Sequence, residues 1–243
     1  MDTIAAPPFP VRLPWVNVAS LRMDKQIGRP VLIEFWDFCR PNSLRTLPYL
    51  KAWHERYEAD GLRMIGVHSP GFEPSGREDA VRDAVARLEI DYPVVIDSEL
   101  QIWDLYANRG WPARYLFDRK GILAHYHYGE GAYEETERAI QEQLGVEREP
   151  LAPVRPEDAP EALLAPQTED QPGAWSGPYE AGAVWLVLDG AGTVTANGNT
   201  FVVDHPGAYL AVEHEGHVAG ELVLDVGDGV TCHAVCFTPG VAG

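Results

Sequence analysis

The stretch Val31-Leu-Ile-Glu-Phe-Trp-Asp-Phe-Cys-Arg-Pro-Asn-Ser-Leu-Arg-Thr-Leu-Pro-Tyr-Leu50 changes period in its middle. Val31 to Trp36 is apolar apart from Glu34 and does not alternate, which reads as a strand buried on both faces. Beyond Cys39, apolar or long side chains recur every three or four residues at Leu44, Leu47, Leu50 or Lys51, His54 and Tyr57. That is a helical stripe. Pro48 lies inside it, where the missing N–H removes one hydrogen bond and kinks the helix.

Outward from this strand–helix pair the same alternation continues. Leu62 to Val67 reads as a strand. Ser75 and Glu78 have the spacing of a capping box at the head of a helix whose Val81, Ala84, Val85 and Leu88 form one apolar face. Pro93 to Ile96 is a strand and Ser98 to Tyr106 a short helix. Ala113 to Phe117 and Ile122 to Tyr128 flank the turn Asp118-Arg-Lys-Gly121, a hairpin. Tyr133 to Leu144 is an acidic-headed helix that stops at Gly145. The order βαβαβαββα predicts an α/β three-layer domain over residues 1–145.

Residues 146–173 carry six prolines among acidic residues, the composition of an extended linker. From 174 to 243 there are turn signals at Asp189-Gly190, Asn197-Gly198, Pro206-Gly207, Glu215-Gly216 and Gly227-Asp-Gly229, and no helical period. Six or seven short strands between such turns predict a small all-β sandwich or jelly roll.

The chain of 243 residues has a formal net charge of −18, and residues 174–243 hold eight acidic residues and no Lys or Arg. Such a surface repels phosphate backbones, so neither nucleic acid nor an anionic membrane is an expected partner. No apolar stretch is long enough to span a bilayer. The proline-containing, non-basic start is unlike a secretory signal, which leads to the expectation of a cytoplasmic protein. Three cysteines, Cys39, Cys232 and Cys236, do not make a disulfide framework and fit a reducing compartment.

The quoted stretch resembles the redoxin domain of DipZ-like proteins, which read Glu-Phe-Trp, three residues, Cys-x-Asn-Cys and then Leu-Arg-Thr-Leu-Pro-Tyr-Leu. Trp111-Pro-Ala-Arg-Tyr115, and Gly129-Glu-Gly131 followed by Tyr133 and Glu137, match as well. Val230-Thr-Cys-His-Ala-Val-Cys-Phe-Thr-Pro239 resembles the β-sandwich appended to those redoxins and compared with carbohydrate-binding modules. The resemblance implies an α/β thioredoxin-like fold followed by a small all-β sandwich, with Pro112 as the family's cis proline. It departs at one place: the two redox cysteines fall on Arg40 and Ser43, and Cys39 stands one position ahead of the first.

A dithiol cycle needs one sulfur to attack and a second to resolve. Arg40 and Ser43 do neither, so the usual cycle is excluded by composition. What remains is Cys39 beside Arg40 and ahead of a helix N-terminus, both of which favour a thiolate. Two readings follow. In the first, Cys39 acts as a single thiol on a peroxide or disulfide and is regenerated by a small thiol, with Glu34 as general base and Arg40 as supporting cation. In the second the chain is a non-catalytic binding module. Its groove around Arg40, Ser43 and Pro112, with Trp36, Trp111 and Arg114, or its sandwich face, holds a peptide, glycan or protein partner.

Cys39 also reads as a small buried residue where thioredoxins often carry tryptophan, and Arg114 as a solvated charge at a strand start. Glu34, inside a buried strand, must be paired or protonated, with Arg40 or a lysine as the expected partner. No cofactor and no metal site are expected. His125 and His127 share a face about 6.6 Å apart without a third ligand, while His214 and His217, with Glu213 and Glu215 around a turn, are the better cluster. Cys232 and Cys236 are about 13 Å apart along a strand, too far for a disulfide, and point with Ala234 to one sandwich interior. Trp175 and Trp185 are core residues or a sugar-stacking platform. A homodimer is a further expectation.

Overall fold

A computed structural model describes residues 3–243. By internal contacts the chain divides into two units. The first runs up to Asp37 and continues with Asn42–Gly71 and Gly76–Ala152. The second comprises Pro153–Gly243 together with two short segments, Phe38–Pro41 and Phe72–Ser75.

The first unit is the predicted α/β domain. Its elements are β1 (Trp15–Val16), β2 (Val31–Trp36), α1 (Pro41–Tyr57), β3 (Arg63–His68), α2 (Glu78–Arg87), β4 (Val94–Ile96), α3 (Gln101–Leu105), β5 (Ala113–Phe117), β6 (Leu123–Tyr128) and α4 (Tyr133–Leu144). The sheet order is β1-β4-β3-β2-β5-β6. β2 pairs parallel with β3 and β3 with β4, while β5 and β6 return antiparallel. This places β2 at the centre, and every one of its six residues is buried, as its unalternating sequence requires. The two-residue β1, antiparallel to β4, is an addition to the expected order and too short to leave a periodic signal.

One face of the sheet carries Val31, Ile33, Phe35, Ile65, Val67, Val95, Tyr115 and Phe117, packed with Phe9, Trp15, Ile102 and Tyr106. α1 includes Pro48, and α4 ends at Gly145 with φ 73°, the left-handed stop that glycine supplies. α4 is fixed to α1 through Glu137, whose carboxylate is 1 % exposed. It accepts from Tyr57 Oη at 2.6 Å, Arg56 Nη1 at 2.9 Å, Trp53 Nε1 at 3.2 Å and the backbone N–H of Leu151 at 2.8 Å.

Two local expectations change. Ser75 does not cap α2. Its Oγ donates to the Phe72 carbonyl and accepts the Phe72 N–H, closing a 3₁₀ turn at Pro74–Gly76, and the residue before α2 is Arg77. The nearer backbone groups win the hydroxyl. Residues 146–152 are also more than a spacer. Besides the Leu151 contact, Arg148 pairs with Asp60 at 2.7 Å and donates to the Arg56 carbonyl.

The second unit has β7 (Gln171–Pro172), β8 (Gly177–Gly190), β9 (Gly192–Ala196), β10 (Asn199–Val203), β11 (Gly207–Leu222), β12 (Leu224–Val226) and β13 (Val230–Thr238). They form a three-stranded sheet, β10-β9-β12, and a four-stranded sheet, β11-β8-β13-β7, all of it antiparallel. Asn197 and Gly198, with φ 49° and 82°, make the tight turn between β9 and β10. Glu215-Gly216 is not a chain reversal. It lies within β11, where the register against β8 slips between Glu213 and Val218. The core holds Tyr179, Ala181, Val184, Leu186, Leu188, Val194, Val235 and Phe237, with Trp175 packed on it at 5.9 Å from Phe237.

The expectation that Cys232 and Cys236 share the sandwich interior is corrected by a bulge. Cys232 is opposite Leu188 but Ala234 is opposite Val187, so one extra residue, His233, shifts the parity of β13. Cys232 packs on the core, whereas Cys236 falls on the face away from Val235 and Phe237. No disulfide joins any of the three cysteines.

Candidate functional site

In the sheet of the first unit, β2 sets Glu34 between Gly66 of β3 and Arg114 of β5. Glu34 is 1 % exposed and Arg114 0 %. Burial pushes the Glu34 carboxyl well above the ordinary glutamate range, against the opposing pull of the Arg114 cation. Burial likewise lowers Arg114. The arginine is not the solvated strand-start charge that its position suggested, because β5 is an interior strand of the sheet. Nor is the partner of Glu34 Arg40 or a lysine.

The two groups do not form a hydrogen-bonded ion pair. Arg114 Nη2 donates to the Gly131 carbonyl at 2.6 Å, and its guanidinium lies 5.0 Å from the Tyr133 ring centroid and 5.9 Å from that of Trp53. Carbonyl and ring faces thus compensate its charge. Both Glu34 oxygens lack a hydrogen-bond partner among the described residues, and so do Trp36 Nε1 and Tyr92 Oη. Burial, with Glu34 nearby, also raises Tyr92. Gly66 makes the space: a β-carbon there would stand 3.1 Å from Trp36 Nε1 and 3.2 Å from the Tyr92 ring. A carboxylic acid that remains protonated fits this surrounding better than a carboxylate.

At the end of β2, the Asp37 N–H donates to Ser43 Oγ at 3.2 Å, and Asp37 Oδ2 accepts the Gly71 N–H at 2.7 Å. The Asp37 carboxylate is 3.7 Å from His68 Nε2, both residues being 0 % exposed. Sequence reading passed over this pair. The signal was a histidine closing the apolar run Arg63–His68 and an aspartate directly after β2. Ser43 therefore anchors the backbone of the turn. The Trp111–Pro112 bond is cis, and Trp111 Nε1 donates to the Ser69 carbonyl at 2.8 Å. Of the expected groove residues, Trp36, Ser43, Pro112 and Arg114 are buried and Trp111 is half-buried.

Cys39 and Arg40 belong to the second unit. Cys39 is 0 % exposed. Within that unit the Phe38 carbonyl accepts the Ala208 N–H at 3.3 Å, and the half-buried Arg40 guanidinium lies 4.6 Å from the Phe72 ring centroid. Neither thiol of β13 is activated. Burial raises Cys232 to about 11, and burial with the Asp170 carboxylate raises Cys236 further, outweighing the Arg40 cation.

The histidines weighed as metal ligands are otherwise engaged. His125 meets Thr136, and His127 Nε2 meets the Glu130 carbonyl. His214 Nε2 contacts Tyr179 Oη at 2.9 Å, and His217 lies 3.7 Å from Glu180.

Comparison with known proteins accords with this geometry. The model of the AhpC/TSA family matches residues 5–126. Protein DipZ of Mycobacterium bovis is 35 % identical over 159 residues, which is 63 % of this chain and 22 % of DipZ. The aligned part thus spans under a quarter of that relative. The thiol-disulfide oxidoreductase YkuV of Bacillus subtilis is 27 % identical over 131 residues, 54 % of this chain and 87 % of YkuV. Among solved structures, a thiol-disulfide isomerase from Corynebacterium glutamicum superposes with a TM-score of 0.51 at 22 % identity. That match covers 57 % of this chain and 96 % of the isomerase and speaks for the fold. A family model that matches half of the chain, a sheet centred on β2 and an appended all-β unit together lead to one conclusion: the chain belongs to the AhpC/TSA family, as a thioredoxin-like redoxin of the DipZ type.

Proposed function

We propose that this chain is a redoxin that has given up thiol chemistry and works as a non-catalytic binding protein for a peptide, glycan or protein partner. The observation that carries this reading is the state of its sulfurs. Arg40 and Ser43 stand where the family has cysteines, and the neighbouring Cys39 has no exposed surface. An attacking thiol needs access as well as charge. Ser43 and Asp37 have turned the former redox turn into a hydrogen-bonded structural one.

The second reading keeps the family's thiol chemistry in a reduced form. It is favoured by Cys39 standing beside Arg40 immediately before α1. In it, the Cys39 thiolate attacks a peroxide O–O bond, giving a sulfenic acid and releasing water or an alcohol. One small thiol then forms a mixed disulfide with loss of water, and a second displaces Cys39.

One experiment separates the two. The native protein is exposed to a thiol-specific reagent from pH 6 to pH 9, with Cys39→Ser as control. Peroxide consumption and disulfide reduction are measured alongside. The expected result is slow labelling of Cys39 without turnover. Rapid labelling, together with turnover abolished by Cys39→Ser, refutes the binding reading and establishes the monothiol one. A cytoplasmic setting suits three cysteines outside any disulfide, and a homodimer is tested by light scattering on the same preparation.

A further inference from the structure

The bulge in β13 has a chemical result. Thr231 is opposite Asp189, and Cys232 opposite Leu188, after which His233 has no register partner and pairing resumes with Ala234 opposite Val187. An extra residue in a strand re-aims its side chain. Here it brings the imidazole beside Asp189. A ligand atom of Glu73, one of Asp189 and a ring nitrogen of His233 all lie within 4.8 Å of one another. All three residues belong to the second unit.

We propose that Glu73, Asp189 and His233 bind one divalent transition-metal cation. Three features point the same way. First, one imidazole and two carboxylates are the donor set of zinc- and manganese-class ions, and three protein ligands leave room for water in the coordination sphere. Second, His233 Nε2 is shielded from solvent and has no hydrogen-bond partner among the described residues. A shielded, unpartnered ring nitrogen asks for an explanation, and an ion is one of the few that serve. Third, Asp189 is held from behind: its Oδ1 accepts the Gly190 N–H at 2.8 Å. Backbone contacts of this kind fix the orientation of metal ligands. The site is independent of Cys39 and of either reading of the redox turn.

The test uses the full chain, stripped with a chelator and titrated with Zn²⁺ by calorimetry and with Co²⁺ by visible absorption. One equivalent should bind, with a Co²⁺ spectrum of nitrogen and oxygen ligation. His233→Ala and Asp189→Asn should each weaken binding about tenfold or more. Glu73→Gln, at an exposed position that leaves folding undisturbed, should weaken it about fivefold or more, and it carries the test if a β-strand variant fails to fold. His214→Ala should bind as the parent does. Absence of binding up to millimolar metal, or binding that Glu73→Gln leaves intact and His214→Ala removes, overturns the proposal.

Discussion

At the scale of single residues, Glu34 shows what can be read from a sequence and what cannot. Its burial was legible because an ionisable group inside an unalternating apolar run has nowhere polar to go. Its neighbour was not, because the register of β2 against β5 joins residues eighty positions apart, and no local pattern encodes it. The expected partners were the nearest cations in sequence; the cation found is Arg114, whose Nη2 donates to the Gly131 carbonyl. The raised Glu34 pKa has a definite linkage sign. The folded state holds the proton more tightly than the unfolded chain does, so the associated stability is full below the ordinary glutamate value of about 4.3 and is lost as pH climbs toward the folded value. Glu34→Gln, the neutral isostere, should therefore stay within about 1 kcal/mol of the parent at pH 5 and gain on it between pH 5 and pH 8.5 in urea melts. A loss of about 3–5 kcal/mol throughout would instead indicate an ionised carboxylate bonded to Arg114.

At the scale of elements, periodicity located β2, α1, α4 and the β5–β6 hairpin because each carries its own repeat or stop signal. It failed where hydrogen bonds are chosen by proximity, as at Ser75, and where one residue is inserted in a ladder, as at His233. A bulge changes no composition and leaves alternation looking intact on either side. For that reason the two cysteines of β13 were assigned to one face. The Asp37–His68 pair depends on the parallel register of β2 and β3, which no local pattern encodes. The join between α1 and α4 rests on Glu137, whose buried carboxylate takes four donors. Glu137→Ala leaves an arginine, a phenol, an indole and an amide without their acceptor, and should cost about 3–5 kcal/mol in urea unfolding. Glu137→Gln, which keeps an acceptor oxygen, should cost less. Equal stability of Glu137→Ala and the parent would remove the clamp from the account.

At the scale of the whole molecule, composition separated an α/β part from an all-β part, and both are present. The boundary was harder. Prolines and acidic residues beyond Gly145 suggested a spacer, but composition is blind to a backbone N–H that meets a buried carboxylate. The contact division falls after Ala152. Arg148 and Leu151 are tied to α1 and Glu137 before that point. A chain ending at Gly145 should accordingly melt several degrees below one ending at Ala152, by differential scanning fluorimetry, and coincident melting would return residues 146–152 to the status of a spacer. Any reuse of this redoxin as a portable cassette, in evolution or at the bench, must therefore copy those seven residues past its last helix. Spliced at the helix end, the cassette would arrive with its clasp undone.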